Sequence, residues 1–261
     1  MPSFETITME RDGRGVVTLT LDQPDRHNAL SARMMDELTE AAGMLGADGS
    51  RVVVLAARGA SFCAGGDLRW MRAQFEAEPA ARAAEARRLA GMLQALNTLP
   101  VPLIGRVHGN AFGGGVGMAC VCDVAVGAHG ASFALTETRL GLIPATIGPY
   151  VIARTGEGRA RRVFMSGRRF DAEEAVELGV LARAVAPDAL DEAVEAEVAP
   201  YLACAPGAVA DAKRLARSLG TKIDAGTIEA TVAALAARWE GDEAAEGVGA
   251  FFERRPPRWS G

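Results

Sequence analysis

The sequence predicts an α/β fold followed by a helical C-terminal region. Three observations support this prediction. Short apolar runs such as Val52-Val53-Val54-Leu55 alternate with segments of helical spacing, which is typical of buried strands in a βα alternation. Glycine-rich loops follow two of these runs. Beyond Thr136, helical segments succeed one another, and residues 180–185 form the one strand expected among them.

Each element of the first half has its own local signal. Segments 4–10 and 15–21 alternate apolar and polar residues around Asp12-Gly13, which indicates a hairpin. Ser31 is suited to cap a helix that runs to about Leu45. Further strands are predicted over residues 51–57, 100–107 and 122–127, and a helix over residues 79–99.

The second half is predicted to consist mostly of helices. Pro256 and Pro257 should end the last helix, because proline cannot continue one. We divide the chain into an α/β core, residues 1–195, and a C-terminal helical region, residues 196–261. The predicted helices cover residues 158–166, 171–178, 188–202, 206–219 and 223–252.

Composition restricts the class of protein. The 261 residues are 49% apolar and 23% charged, which suits a soluble globular protein with a large core. A net charge of −5 argues against a nucleic-acid surface, which needs clustered cations. Residues 1–10 lack an apolar run and residues 111–128 contain five glycines and Asp123, so neither a signal peptide nor a membrane span is expected. Four cysteines without paired spacing indicate buried free thiols in a cytoplasmic protein.

The first candidate site segment is Ser61-Phe62-Cys63-Ala64-Gly65-Gly66-Asp67-Leu68. It follows a predicted strand, at the edge of the sheet where α/β proteins bind ligands. Its adjacent glycines leave backbone N–H groups free of side-chain cover. A tight strand-to-helix turn capped by Asp67 would explain the same residues without a ligand.

The second candidate segment is residues 108–117, His-Gly-Asn-Ala-Phe-Gly-Gly-Gly-Val-Gly. It also follows a strand and begins a helix, where unpaired N–H groups favour an anionic ligand atom. Its spacing matches neither a dinucleotide fingerprint nor a P-loop. A purely structural triple glycine is the alternative. Donors from both segments, converging on one oxygen, would form an oxyanion hole.

The third candidate segment, residues 133–144, places Glu137 among apolar residues. Such a carboxylate can have a raised pKa and act as a general acid or base. An ion pair with Arg139 is the structural alternative. Neither a nucleophile elbow nor metal-ligand spacing is found, so no metal site is expected. The three histidines are expected to be structural or at the surface: His27, His108 and His129.

In this order and spacing, the three segments resemble the enoyl-CoA hydratase/isomerase (crotonase) family. The resemblance runs from Asn28-Ala29-Leu30 to residues 251–256 and includes residues 167–180. It implies a ClpP/crotonase-like ββα spiral core, an acyl-coenzyme A thioester substrate and no separate cofactor. It also implies a homotrimer or a dimer of trimers, built through the C-terminal helices. Residues 62–72 and 113–117 are most similar to methylglutaconyl-CoA hydratase-like enzymes.

The resemblance also implies roles for individual residues. Gly66 and Gly114 match the family's oxyanion donors, and Glu137 matches one of the two glutamates that hydratases use. The positions that match the substrate or coenzyme A site are Arg26, Ala64, Asp67, Leu68 and Gly117.

The departure from the family pattern is Gly117, where hydratases usually carry their other glutamate. Hydration of a 2-enoyl-CoA, such as 3-methylglutaconyl-CoA, is the favoured function. One alternative is an enoyl-CoA isomerase that uses Glu137 alone, and another is a non-catalytic acyl-CoA-binding protein. A distal carboxylate on the substrate, oriented by Arg72 or Arg139, is one hypothesis for how a single glutamate suffices.

Overall fold

The computed structural model describes residues 3–260. Within them lie ten strands, eleven α-helices and three short 3₁₀ helices. The strands are β1 (Ile7–Arg11), β2 (Val16–Leu21), β3 (Val52–Ala57), β4 (Ser61–Cys63), β5 (Leu103–Val107), β6 (Asn110–Phe112), β7 (Val124–Ala128), β8 (Ser132–Ala134), β9 (Arg169–Asp171) and β10 (Arg183–Val185). The α-helices are α1 (Ala32–Leu45), α2 (Leu68–Glu76), α3 (Pro79–Asn97), α4 (Gly114–Val121), α5 (Gly148–Thr155), α6 (Glu157–Phe164), α7 (Ala172–Leu178), α8 (Leu190–Leu202), α9 (Pro206–Leu219), α10 (Ala225–Trp239) and α11 (Asp242–Glu253). The 3₁₀ helices are Pro24–Arg26, Glu137–Leu140 and Pro187–Ala189.

The larger sheet has six strands in the order β1-β2-β3-β5-β7-β10. Its first two strands form the predicted antiparallel hairpin, with Ile7 opposite Leu21 and Arg11 opposite Val17. The other neighbours are parallel. All six residues of β3 are buried, as expected for a central strand covered on both faces.

A second sheet, in the order β4-β6-β8-β9, carries the glycine loops. Its strands have three residues each, and β4, β6 and β8 directly follow the longer strands β3, β5 and β7. In two consecutive units, each pair of strands leads into a helix, α2 after β4 and α4 after β6. This repetition is the expected ββα pattern. It brings the ends of β4, β6 and β8 together, because these strands are parallel neighbours.

The larger sheet lies between two apolar layers. Val53 and Leu55 point into the main core with α1, α3 and α4, whereas Val52 and Val54 pack toward α8 on the opposite face. The predicted boundary at residue 195 lies inside α8, which packs against β3, β5 and β7. The second layer of the core therefore extends through this helix.

The C-terminal helices α10 and α11 return to the α/β core. A single helix over residues 223–252 was expected. That prediction is wrong, because α10 ends at Trp239 and a separate helix, α11, begins at Asp242. Gly241 caps α11 without a side chain, and Asp242 and Glu243 favour a new helix start through the helix dipole. Helix α10 packs on α3, and α11 packs on the 3₁₀ helix that begins at Glu137.

The cysteines and the apolar helices were also subjects of prediction. Cys63, Cys120 and Cys122 are buried free thiols as predicted, but Cys204 is exposed. No helix in the described part of the chain has both the length and the apolar character that a membrane crossing requires.

Candidate active site

The loop after β4 places Gly66 at the start of α2. Asp67 caps this helix, since its carboxylate accepts hydrogen bonds from the N–H groups of Arg69 and Trp70 at 2.9 and 3.0 Å. Gly65 has a φ of 92°, and a Cβ there would lie 2.9 Å from the Phe112 carbonyl oxygen. Glycine is therefore required for the loop to pack directly on β6.

Leu30 holds this loop from the other side. Its N–H donates to the Gly65 carbonyl at 2.7 Å, and its carbonyl accepts from the Asp67 N–H at 3.1 Å. These two bonds form a parallel bridge between Leu30 and Gly66, so the Gly66 N–H faces away from Leu30. Among residues 3–260, no protein acceptor pairs with the Gly66 N–H.

Gly114 begins α4 immediately beside the Gly65-Gly66 loop. Its N–H belongs to the first turn, which has no intrahelical acceptor, and no other partner is found within the described residues. A Cβ on Gly65 would lie 3.7 Å from the Gly114 nitrogen, and a Cβ on Gly114 would lie 2.7 Å from Leu30 Cδ1. Gly66 and Gly114 line one cavity. The cavity is therefore bordered by two residues whose N–H groups have no acceptor among residues 3–260.

Glu137 lies on the wall of the same cavity. A Cβ on Gly113 would be 3.0 Å from Glu137 Oε1, so the glycine leaves room for the carboxylate. The residue as a whole is partly exposed, yet its Oε2 is buried and has no hydrogen-bond partner among residues 3–260. Burial raises the pKa of this carboxyl from 4.5 to about 7. The group can therefore both accept and donate a proton near neutral pH.

The expected alternative for Glu137, an ion pair with Arg139, does not form. Arg139 is exposed and its side chain packs against Gly167, where a Cβ would lie 2.8 Å from Arg139 Cγ. No salt bridge joins Glu137 to any cation in the part of the chain that the structure describes. Desolvation is therefore uncompensated, which explains the raised pKa.

The cavity is small and mostly apolar, with a volume of about 80 Å³. Helix α10 completes its wall with Leu235 and Trp239, and Trp239 packs edge-on against Phe75 at a centroid distance of 4.9 Å. The Trp70 indole N–H donates to Glu85 Oε2 at 2.7 Å, which fixes the ring. The lining residues are Leu30, Gly66, Trp70, Met71, Leu89, Gly114, Glu137, Leu142, Ile143, Pro144, Ala145, Thr146, Ile147, Leu235 and Trp239. No local pattern in the sequence indicates that α10 contributes to the cavity.

Wider grooves exist elsewhere on the surface, of about 400 and 900 Å³. One includes Asp191 and Glu195 of α8 in its wall, and the other includes Arg214 and Arg217 of α9. We assign the site to the smaller cavity, because it contains the two free amides and the buried acid.

The positions expected to border coenzyme A lie outside this cavity. The Ala64 N–H donates to the His27 carbonyl at 3.0 Å, which brings the turn containing Arg26 beside the loop after β4. Arg26 and Leu68 are exposed, and Asp67 is buried as the helix cap. These residues border the outside of the glycine loop rather than the reacting centre.

Gly117 is buried in α4 and does not line the cavity. A Cβ there would lie 2.6 Å from Ile147 Cγ2 and 3.0 Å from Ile147 Cβ. Ile147 therefore occupies the space into which a side chain at position 117 would extend.

The arginines considered for a distal carboxylate are also outside the cavity. The Arg72 guanidinium lies 4.2 Å from the centre of the Phe252 ring, and Arg139 packs against Gly167. Neither residue lines the cavity wall.

Asn28 is a structural residue that the sequence analysis did not identify. Its side-chain amide donates to the carbonyls of Arg58 and Ser61 at 2.8 and 2.9 Å, and its Oδ1 accepts from the Gln23 N–H. Its φ of 52° is a conformation that asparagine tolerates better than most residues. Asn28 thereby joins the segment before Leu30 to the loop that carries Gly66.

The histidines have partners away from the cavity: His27 contacts Ser61, His108 contacts the Gly59 carbonyl, and His129 contacts Glu173. Within residues 3–260, no group of three or more His, Cys, Asp or Glu side chains is placed to hold a metal ion.

Comparison with known proteins identifies the family of the chain. Residues 11–261 match the enoyl-CoA hydratase/isomerase family. The chain belongs to this family. It is 33% identical to a putative enoyl-CoA hydratase of Thermus thermophilus, over 94% of this chain and 97% of that protein. It is 34% identical to a probable enoyl-CoA hydratase of Rhodobacter capsulatus, over 99% of both chains.

Solved structures show the same fold. A Mycobacterium smegmatis enoyl-CoA hydratase superposes with a TM-score of 0.80 at 38% identity, covering 98% of this chain and 100% of that one. A putative enoyl-CoA hydratase from Mycobacterium avium paratuberculosis superposes with a TM-score of 0.86 at 31% identity, covering 98% and 99%. The predicted crotonase-type α/β fold with a helical C-terminal region is confirmed, and the protein is an enzyme of this family.

Proposed function

We propose that this enzyme adds water to the C2=C3 double bond of a 2-enoyl-CoA thioester. The observation that carries the proposal is that three suitable residues line one apolar cavity: Gly66 and Gly114, whose N–H groups have no acceptor among residues 3–260, and Glu137, whose Oε2 is buried. The two N–H groups are suited to bind the thioester oxygen as it becomes negative. Each such donor contributes about 3 kcal/mol of transition-state stabilisation.

One carboxyl group is sufficient for the proton transfers. The Glu137 carboxylate takes a proton from water as the water oxygen bonds to C3 and the π electrons move onto the thioester as an enolate. The protonated Glu137 then donates that proton to C2, and the enolate returns to the thioester. The proton balance closes, and a pKa of about 7 makes both half-reactions accessible near neutral pH.

Two observations bear on whether the acyl group of the substrate is charged. The similarity of residues 62–72 and 113–117 to methylglutaconyl-CoA hydratase-like enzymes supports a substrate with a distal carboxylate, such as 3-methylglutaconyl-CoA. The cavity supports an uncharged chain instead, since no cation lines it among the described residues and burying an unpaired carboxylate is costly. We propose a short uncharged enoyl group as the preferred substrate, with 3-methylglutaconyl-CoA as the comparison.

A second candidate function is double-bond isomerisation. The observation that favours it is the closure of position 117 by Ile147, which leaves Glu137 as the one side-chain carboxyl on the cavity wall among residues 3–260. In this reaction Glu137 would remove a proton from one carbon of an enoyl-CoA and return it to another. Water would take no part.

Incubation with crotonyl-CoA, 3-methylglutaconyl-CoA and a 3-enoyl-CoA in deuterated water tests both functions. Hydration adds one D₂O to the product mass, whereas isomerisation moves the double bond without adding oxygen. Glu137→Gln should lower turnover by about 10²-fold or more and retain coenzyme A binding. Glu40→Gln, on the exposed face of α1, is the matched control. Wild-type binding without turnover would support a non-catalytic acyl-CoA-binding protein and refute the proposal.

We further propose that the enzyme assembles as a homotrimer or a dimer of trimers. The support is helix α9, which buries no residue within the described chain and exposes Leu215 and Leu219 by 60% and 79%. Apolar side chains on such a helix are typical of a protein interface. Sedimentation equilibrium of the wild type and of a Leu215→Asp variant tests this, and a monomeric wild type would contradict it.

A further inference from the structure

Addition of water requires a second polar group at the reacting carbons, and this inference rests on the proposed hydration. Glu137 can take the proton from water, but one hydrogen bond does not fix the orientation of a water molecule. A group opposite Glu137 is needed to hold the oxygen toward C3, because misplacement of a reacting atom lowers the rate steeply. Position 117 supplies no such group, since it is glycine and is covered by Ile147.

The chain that covers Gly117 also lines the cavity. Ala145, Thr146 and Ile147 lie on the cavity wall, and Ile147 Cγ2 would contact a Cβ on Gly117 at 2.6 Å. The missing side chain at position 117 therefore gives this segment room to approach α4. Thr146 directly precedes the residue that fills the space.

Thr146 has an unusual combination of burial and chemistry. The residue is 4% exposed, and no hydrogen bond joins its hydroxyl to the protein within residues 3–260. The hydroxyl oxygen is not one of the fully buried unpartnered atoms of that range, so it keeps some accessible surface. Apart from Glu137, Thr146 is the one described cavity-lining residue with a side-chain oxygen. A hydroxyl on a cavity wall that has accessible surface and no protein partner generally bonds to a water molecule or a ligand.

The other polar side chains on the wall are less suited to hold water. The Trp70 indole N–H already donates to Glu85, and the indole of Trp239 can only donate. A threonine hydroxyl can accept a hydrogen bond from water and donate one. The cavity volume of about 80 Å³ exceeds the roughly 30 Å³ that one water molecule occupies in the liquid.

We propose that Thr146 positions the water molecule that adds to C3. The Thr146 hydroxyl accepts one hydrogen of this water, and the Glu137 carboxylate accepts the other. The O–H bond to Glu137 breaks as the oxygen bonds to C3, and Glu137 later returns the proton to C2. Thr146 stays neutral throughout and is a positioning residue rather than a proton donor.

The test compares two reactions of the same enzyme. Hydration of crotonyl-CoA uses the oxyanion donors, Glu137 and the positioned water. Exchange of the C2 hydrogens of butyryl-CoA in deuterated water uses the donors and Glu137 but forms no bond to oxygen. The ratio of the two rates therefore reports on water placement, separately from folding and from enolate formation.

Thr146→Val keeps the side-chain shape and removes the hydroxyl. We expect it to lower the ratio of hydration to exchange by about tenfold or more, through kcat rather than KM. Thr146→Ser should restore the ratio to within about threefold of the wild type. Thr146→Ala provides a second hydroxyl-free protein if the valine variant does not fold. The matched control is Thr155→Val, a buried threonine whose hydroxyl donates to the Val151 carbonyl away from the cavity.

An unchanged ratio in both hydroxyl-free variants would overturn the role of Thr146. A serine variant as impaired as the valine variant would also overturn it, since packing and not the hydroxyl would then be responsible. Failure of the proposed function gives a different result: the wild type would exchange C2 hydrogens and hydrate no enoyl-CoA, and the role of Thr146 would fall with it.

Discussion

Glu137→Gln should make the protein more stable at alkaline pH while it removes activity. The carboxyl of Glu137 is buried without a hydrogen-bond partner for Oε2 among residues 3–260, so ionisation is opposed in the folded state and not in the unfolded chain. Its pKa rises from 4.5 to about 7 on folding. Glutamine has a similar shape and carries no charge at any pH. The substitution therefore removes the cost of burying a carboxylate.

The sign and size of the effect follow from proton linkage. Between pH 4.5 and about 7, the folded protein binds more protons at Glu137 than the unfolded chain does, so wild-type stability falls as pH rises. Each pH unit between the two pKa values corresponds to about 1.4 kcal/mol. The advantage of the glutamine variant should thus be absent below pH 4.5 and reach about 3 kcal/mol above pH 7.

Urea unfolding at pH 5 and pH 8, followed by tryptophan fluorescence, measures this difference. Trp70 and Trp239 line the cavity, so their emission reports on its loss. Protein concentration must be the same in all samples, because assembly would shift apparent stability. Comparison with Glu40→Gln removes effects of overall charge, since Glu40 is exposed. A stability difference between wild type and Glu137→Gln that stays constant from pH 5 to pH 8 would refute the reasoning.

Four further predictions concern the same site. Gly113→Ala places a Cβ 3.0 Å from Glu137 Oε1 at a φ of 48°, so we expect kcat to fall at least tenfold and stability to fall by about 1–3 kcal/mol in urea unfolding; unchanged kinetics would contradict this. Gly117→Glu should lower the melting temperature without raising hydration, because Ile147 occupies the space, and adding Ile147→Ala should recover part of the loss. The kcat/KM for hydration should increase with pH up to about 7 and then level off, since Glu137 must be ionised to accept the proton; a flat profile from pH 5 to 8 is the contrary result. Arg72→Ala should leave the ratio of rates on 3-methylglutaconyl-CoA and crotonyl-CoA unchanged, because Arg72 contacts Phe252 outside the cavity.

Features with a local signal could be predicted from the sequence. The run Val52–Leu55 forms the buried centre of β3, and the Ser31 side chain accepts a hydrogen bond from the Met34 N–H at the start of α1. Both depend on a few adjacent residues, which is why pattern and capping rules find them. The glycine segments containing Gly66 and Gly114 could also be predicted, because glycines that follow a strand leave the backbone N–H groups without side-chain cover.

Features that depend on distant contacts have no local pattern in the sequence, and the ββα core was expected from the family resemblance alone. The second sheet is built from strands of three residues, too short for alternation to appear, and it forms only by pairing between segments far apart in the chain. Leu235 and Trp239 in α10 have ordinary helical spacing, and only packing on α3 places them at the cavity. No sequence pattern marks Thr146, because its proposed role depends on a hydroxyl that has no protein hydrogen-bond partner among residues 3–260, and only the structure shows this.

Leu30 contacts both halves of the donor pair, through backbone bonds around Gly66 and through the approach of its side chain to Gly114. One aliphatic residue with no reactive atom therefore sets the gap between two amides. Shortening the Leu30 side chain would change the spacing of these two amides, even with every proton-transfer group intact. A mutational survey confined to ionisable residues would overlook this control, and an engineer seeking to admit a larger thioester would have to treat Leu30 differently from the cavity-lining residues that do not touch the two glycines.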